Sequence, residues 1–338
     1  MKTNGHGDVR PRRRTPRQLA VLGGLIGAAA ALGATAPVTA LGAGRPASPA
    51  TPTLTIYLAP ANKGGSDSHT GLSTSSPILT LAHAQQVLAR IQPKTDVQVR
   101  IEQGMYDAGE TDWTFYIPGH TISFMPTNYV LGHGRPPGGD PVFAETPQHF
   151  WWWFHALEPA SVTAPLHNGG TTGLRFYCLE ITGYANGIGL DGVNGNSVAG
   201  MRFIASGAKF RAILLTDSSN NVISNNTFET VENTGSTTGQ IHGIYDTHFS
   251  SGNTITLNKF ESISAKAIKV RDRSNFNVIE HNTFISTGPR GGLVRHAGYP
   301  PRGPWPESQP IFALPSVSVI VLLAPGMVKL IRRVASPQ

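Results

Sequence analysis

The stretch AIKVRDRSNFNVIEHNTF, residues 267–284, joins two patterns. Its first half alternates apolar and cationic side chains: Ile268, Lys269, Val270, Arg271. Its second half is dominated by asparagine and ends on Phe284. The frame recurs three times upstream, as GIGLDGVNGNSVAGMRF (187–203), AILLTDSSNNVISNNTF (212–228) and GIYDTHFSSGNTITLNKF (243–260). Phe203, Phe228, Phe260 and Phe284 align, at spacings of 25, 32 and 24 residues. Ile188, Ile213, Ile244 and Ile268 form a second column, and Val198, Ile223, Ile255 and Ile279 a third. Asparagine makes two more: Asn196, Asn221, Asn253 and Asn277, then Asn226, Asn258 and Asn282.

A period near 25 residues, built of short alternating strands and polar turns, predicts an all-β solenoid whose coils stack in parallel. Like residues then lie above like, about 4.8 Å apart. Aliphatic and phenyl columns fill the interior. The asparagines sit at turns, where they tolerate left-handed geometry and their amides bond the next coil. A helical solenoid is excluded because no 3.6-residue period is present.

NNVISNNTF, NTITLNKF and NVIEHNTF resemble the right-handed parallel β-helix proteins of the pectate-lyase-like superfamily. TIYLAPANKGGSDSHTGLSTSSPILTLAHAQQVL (54–88) is similar to the small N-terminal α/β cap of such proteins, and VQVRIEQGMYD (97–107) to the strand and turn that follow. The resemblance covers about 54–288. It implies the fold, an extracellular polysaccharide as partner and a single-chain monomer. It leaves activity open, because the superfamily holds lyases, hydrolases, epimerases and non-catalytic adhesins.

The rest of the chain reads differently. Residues 1–43 have the form of a signal peptide: RPRRRTPRQ before an apolar run, Leu19–Leu32, and small-residue cleavage candidates. This predicts a secreted or cell-envelope protein. Residues 44–53 read as a linker. From 289 to 338 the text turns rich in Pro, Gly and Arg. It contains an apolar segment, 311–328, readable as a membrane contact, a packed tail or the product of a shifted reading frame. These two ends each carry six of the 27 basic residues, leaving 15 basic against 18 acidic between them, so the middle offers no nucleic-acid footprint. A single cysteine, Cys178, excludes an internal disulfide and a multi-cysteine metal site and suits a small buried residue.

With the interior filled, substrate must bind outside. Two outward columns follow from the alignment: Gly189, Leu214, Tyr245, Lys269, and Asp191, Thr216, Thr247, Arg271. Polarity grows toward the last two coils, beside an inserted loop at 232–240. Cations hold carboxylates, so this patch fits a uronate-containing glycan. A lyase also needs a base for the proton α to the carboxylate, and Lys269, Arg271 and His242 are the candidates. A cation, or Ca²⁺, would stabilise the enolate. No acid cluster has the spacing of a Ca²⁺ loop. Tyr245, Asp246, Arg273 and His248 complete the substrate-binding set. Asp246 stands in an inward column with Leu190, Leu215 and Val270, so it predicts either a bulged strand or a functional carboxylate. Asp272 and His248 share a column and are expected to pair. Lys266 and His281 are weaker candidates, FWWWFHAL (150–157) suits core packing or a sugar platform, and Asp67 a turn. The rival to a lyase is a non-catalytic glycan-binding or envelope protein, or a truncated inactive relative.

Overall fold

The computed structural model describes residues 53–145, 152–158, 171–206, 211–232, 242–285, 294–297 and 320–321. The signal-peptide stretch, nearly all of the expected linker, the inserted loop and most of the tail lie outside them, as does most of 311–328. Among the described residues no helix is long and apolar enough to cross a membrane.

The strands form three sheets of parallel neighbours, and the chain visits them in turn. One coil runs from Ser197–Ala199 in sheet 1 to Arg202–Ser206 in sheet 2 and Arg211–Thr216 in sheet 3. The next begins at Val222–Ser224. Each strand bonds the strand one coil away, so the solenoid satisfies its backbone groups between coils. The aligned columns hold in register: Ile188–Ile213–Ile244–Ile268 in sheet 3, Val198–Ile223–Ile255–Ile279 in sheet 1.

The interior has the predicted ladders. Phe203, Phe228, Phe260 and Phe284 stack with ring centroids 4.6–5.3 Å apart and planes within 9° of parallel. The asparagine columns are buried amide chains. In one, Asn196, Asn221 and Asn253 are linked by side-chain amide bonds of 3.0 Å, and Asn253 N–H donates to Asn277 Oδ1. In the other, Asn226, Asn258 and Asn282 are joined at 3.0 Å. Each turn leaves backbone groups that no strand can pair, and the asparagine side chains bond them.

The phenyl ladder dictates a neighbouring column. Gly187 and Gly243 leave room for it, since a Cβ would come within 2.9 Å of the Phe203 ring and 2.7 Å of the Phe260 ring, and the column holds only the small Ala212 and Ala267 in the other two coils. In the earlier coil Trp153 takes that place and packs on Phe143, 5.0 Å between centroids. The aromatic run thus splits. Trp153 and Phe154 are fully buried core, while Trp152 and His155 face out.

The N-terminal cap is as expected. Helix Leu81–Ile91 starts at Thr80, whose hydroxyl accepts the His83 N–H, and it buries Leu81, Ala84, Val87 and Leu88 in the same core. Asp67 accepts the Leu79 and Thr80 N–H groups, fixing the turn that leads in. Cys178 is buried beside Met125 and Tyr129. At the other end the coils outrun the boundary expected at 288. The backbone of Val294–Ala297 pairs in register with Ile268–Arg271, and Ile320–Val321 pairs with Thr283–Phe284. The open edge of a coil recruits a strand from Gly- and Arg-rich text that shows little propensity of its own.

Candidate functional site

The outer face of sheet 3 carries three columns. Where the chain enters this sheet, two consecutive residues point inward (Gly243 and Ile244, for example), so the residue before them faces out. The first column is therefore Trp152, Asn186, Arg211, His242, Lys266. The second is His155, Gly189, Leu214, Tyr245, Lys269. The third contains Asp191, Thr216 and Thr247, with Arg271 one coil further on.

Cations converge on Tyr245 at the C-terminal end. The Lys269 ammonium lies 4.8 Å from the ring centroid and the Arg211 guanidinium 5.0 Å. Arg271 donates to the phenol oxygen at 3.2 Å and pairs with Asp272 at 2.7 Å, which holds it firmly charged. The ring is thereby held by cations, each worth about 0.5–2 kcal/mol. A sugar does not find a bare tyrosine face here. What it meets is a phenol hydroxyl between fixed positive charges.

The other expected site residues are placed as follows. His242 is on this face but buried, 5.3 Å from the Tyr245 ring, with its Nδ1 on the Lys266 carbonyl. Burial, then the charges of Lys269, Arg211 and Lys266, push it down to about 3. It is a neutral imidazole at ordinary pH and too weak a base for the role expected of it. Asp246 is interior and fully buried, and its register with Leu215 and Val270 is unbroken, so there is no bulge. It therefore cannot touch a substrate on the outer face. Asn253 donates to it at 3.2 Å, and burial pushes its carboxyl up to about 7. Thr247 bridges the pair expected between His248 and Asp272, donating to Asp272 at 2.8 Å and lying 3.1 Å from His248 Nδ1. Arg273 lies over the Phe249 ring at 5.6 Å, on the turn that leaves sheet 3. His281 is exposed beside Glu280, in a turn leaving sheet 1. Among the described residues no group of three His, Cys, Asp or Glu side chains is placed to hold a metal ion.

Arg211 was missed by the sequence reading. Its signal was present in the alignment: it stands two residues before Ile213, as His242 and Lys266 stand before Ile244 and Ile268. Strict alternation would have turned that column inward. The doubled inward residue turns it out. Trp152 and His155 are the outward half of the aromatic run read as core packing or a sugar platform, while Asp112 was missed because its coil precedes the regular repeat.

The sequence family described as a right handed beta helix region matches residues 166–299. No curated protein matches the sequence. Among solved structures, pectate lyase Pel9A superposes with a TM-score of 0.52 at 15% identity, over 73% of this chain and 57% of that one. The alginate lyase from Paenibacillus sp. str. FPU-7 gives 0.47 at 15% identity, over 73% of each chain. A rhamnogalacturonan lyase gives 0.44 at 16%, over 79% of this chain and 66% of the other. The chain thus spans little more than half the length of the pectate lyase, and at these identities the likeness is one of fold. The match to a right handed beta helix region and the stacked coils make the fold of this chain a right-handed parallel β-helix.

Proposed function

We propose that the protein is a secreted carbohydrate-active β-helix enzyme of the polysaccharide lyase type, acting on a uronate-containing glycan. The carrying observation is the convergence of Arg211, Lys269 and Arg271 on Tyr245, on an outer strand face where earlier coils carry Gly189 and Asp191. Secretion rests on the basic and apolar pattern of residues 1–43.

The chemistry follows from the groups present. Arg271 and Arg211 hold the uronate carboxylate and offset the charge that grows on it as the α-proton leaves. Lys269, once it has given up its own ammonium proton to solvent, accepts the α-proton. The electrons form a carbon–carbon double bond, the bond to the glycosidic oxygen breaks, and the Tyr245 hydroxyl protonates the departing oxygen. Arg271 donates to the phenol oxygen, so the Tyr245 proton points elsewhere and is available.

Calorimetric titration with a polyuronate oligomer tests the placement. Each of Lys269→Ala and Arg271→Ala is expected to weaken binding at least tenfold, in keeping with about 1.5–3 kcal/mol for a charge-assisted hydrogen bond. Added salt should weaken the wild type more than either variant. Unchanged affinity in both folded variants would move the site elsewhere.

A further inference from the structure

The same outer face changes character toward the N-terminal coils. His155 stands three coils from Tyr245 in the second column, about 14 Å away at the ordinary strand spacing. Its ring stacks on Trp152, with centroids 4.5 Å apart and planes 14° from parallel. Gly189, one coil on, makes room for this pair. A Cβ there would come within 2.7 Å of His155 and 2.8 Å of Trp152, so both rings lean over the glycine. His155 Nδ1 lies 3.5 Å from Asp112 and its Nε2 3.9 Å from Asp191. Burial holds His155 below its ordinary value, so at neutral pH the imidazole carries no charge to set against the two carboxylates. Glu158 and Asp217 are close enough to add to the negative field.

We propose that Trp152, His155, Asp112 and Asp191 form a second subsite that takes a neutral pyranose, and that it restricts the substrate to glycans mixing uronate with neutral sugars. This rests on the assignment of the cationic end to a uronate. An aromatic pair beside carboxylate acceptors suits a ring with apolar C–H faces and hydroxyl donors. The carboxylates accept from sugar hydroxyls, and the aromatic pair supplies the apolar surface for the C–H face. A second uronate at this place would bring its own carboxylate against Asp112 and Asp191. Like charges within a Debye length of about 8 Å repel, so a chain of uronates alone is disfavoured. The strip reads charge along a glycan: anionic sugar at Tyr245, neutral sugar at Trp152.

Affinity electrophoresis of the full chain in gels containing either hyaluronate, which alternates uronate with a neutral sugar, or polygalacturonate tests this. Wild type should bind hyaluronate more tightly. Trp152→Ala should lose about fivefold on hyaluronate and nothing on polygalacturonate. The double change Asp112→Asn with Asp191→Asn should gain about tenfold on polygalacturonate only. Equal loss on both glycans in Trp152→Ala, or no gain in the double variant, overturns the proposal, with circular dichroism confirming that each variant is folded. Lys269→Ala reports separately on the cationic end. If it leaves both affinities unchanged, the uronate assignment fails while the aromatic and aspartate arms still judge the neutral subsite.

Discussion

Asn258→Ala is expected to destabilise the solenoid by about 4 kcal/mol, a large part of the 5–15 kcal/mol typical of a folded domain. Asn258 is buried in the middle of its ladder. Its Oδ1 accepts both the backbone N–H and the side-chain amide of Asn226, at 3.0 Å each. Its Nδ2 donates to the Ile223 carbonyl at 2.9 Å and to Asn282 Oδ1 at 3.0 Å. Truncation leaves two or three buried polar groups unpaired at about 1–3 kcal/mol each, in an interior packed too closely for solvent to reach them readily. Because each coil contacts only its neighbours, the damage should be local. Hydrogen exchange should speed up first in Val222–Ser224, Thr254–Thr256 and Val278–Glu280. A denaturant midpoint showing a loss under 1 kcal/mol would mean that the asparagine columns decorate the turns rather than hold the coils together.

The second large effect concerns Asp246 and its pH dependence. In the folded chain its carboxyl is raised from 3.8 to about 7 by burial. Its contribution to stability is therefore fully present below about pH 4 and is lost as pH rises toward 7. A displacement of that size corresponds to roughly 4 kcal/mol. His242 runs the other way: lowered from 6.5 to about 3, it favours the folded state above pH 6.5 and loses that contribution as pH falls. The two nearly offset between about pH 4 and 6.5. Asp246→Val restores the aliphatic column of Leu215 and Val270, and Asn253 keeps the Ser218 carbonyl as a partner at 3.1 Å. Urea denaturation should show this variant more stable than wild type by about 4 kcal/mol at pH 8 and hardly changed at pH 4. The variant should also lose stability on acidification where the wild type does not. An equal gain at both pH values would show that the carboxyl ionises normally in the fold.

How far the sequence could be read follows from what repeats. The phenylalanine, isoleucine and asparagine columns were legible because each coil faces the same packing problem as the one below it. That regularity put Tyr245, Lys269 and Arg271 on one face and Asp246 inside. Four features escaped. Arg211 was hidden by the doubled inward residue, which breaks a strict alternation of faces. Burial of His242 was not legible, because a position facing out is ordinarily wet. The run 150–157 offered Trp152 and His155 as a sugar platform, but Asp112 belongs to a coil joined by irregular segments, and only the three-dimensional stack brings it beside His155. The strand Val294–Ala297 was missed for a different reason: its pairing is dictated by the coil before it, not by its own composition.

The cations around Tyr245 are proposed to support β-elimination on a uronate glycan. The most direct measurement is ultraviolet absorbance of unsaturated uronates after the full chain is incubated with a panel of acidic polysaccharides. A steady rise is expected with at least one of them, abolished in Lys269→Ala and slowed at least a hundredfold in Tyr245→Phe, in line with about 10²–10⁴-fold for a general acid or base. A folded wild-type protein that binds these glycans yet produces no absorbance with any of them would contradict it and leave a binding protein in place of an enzyme.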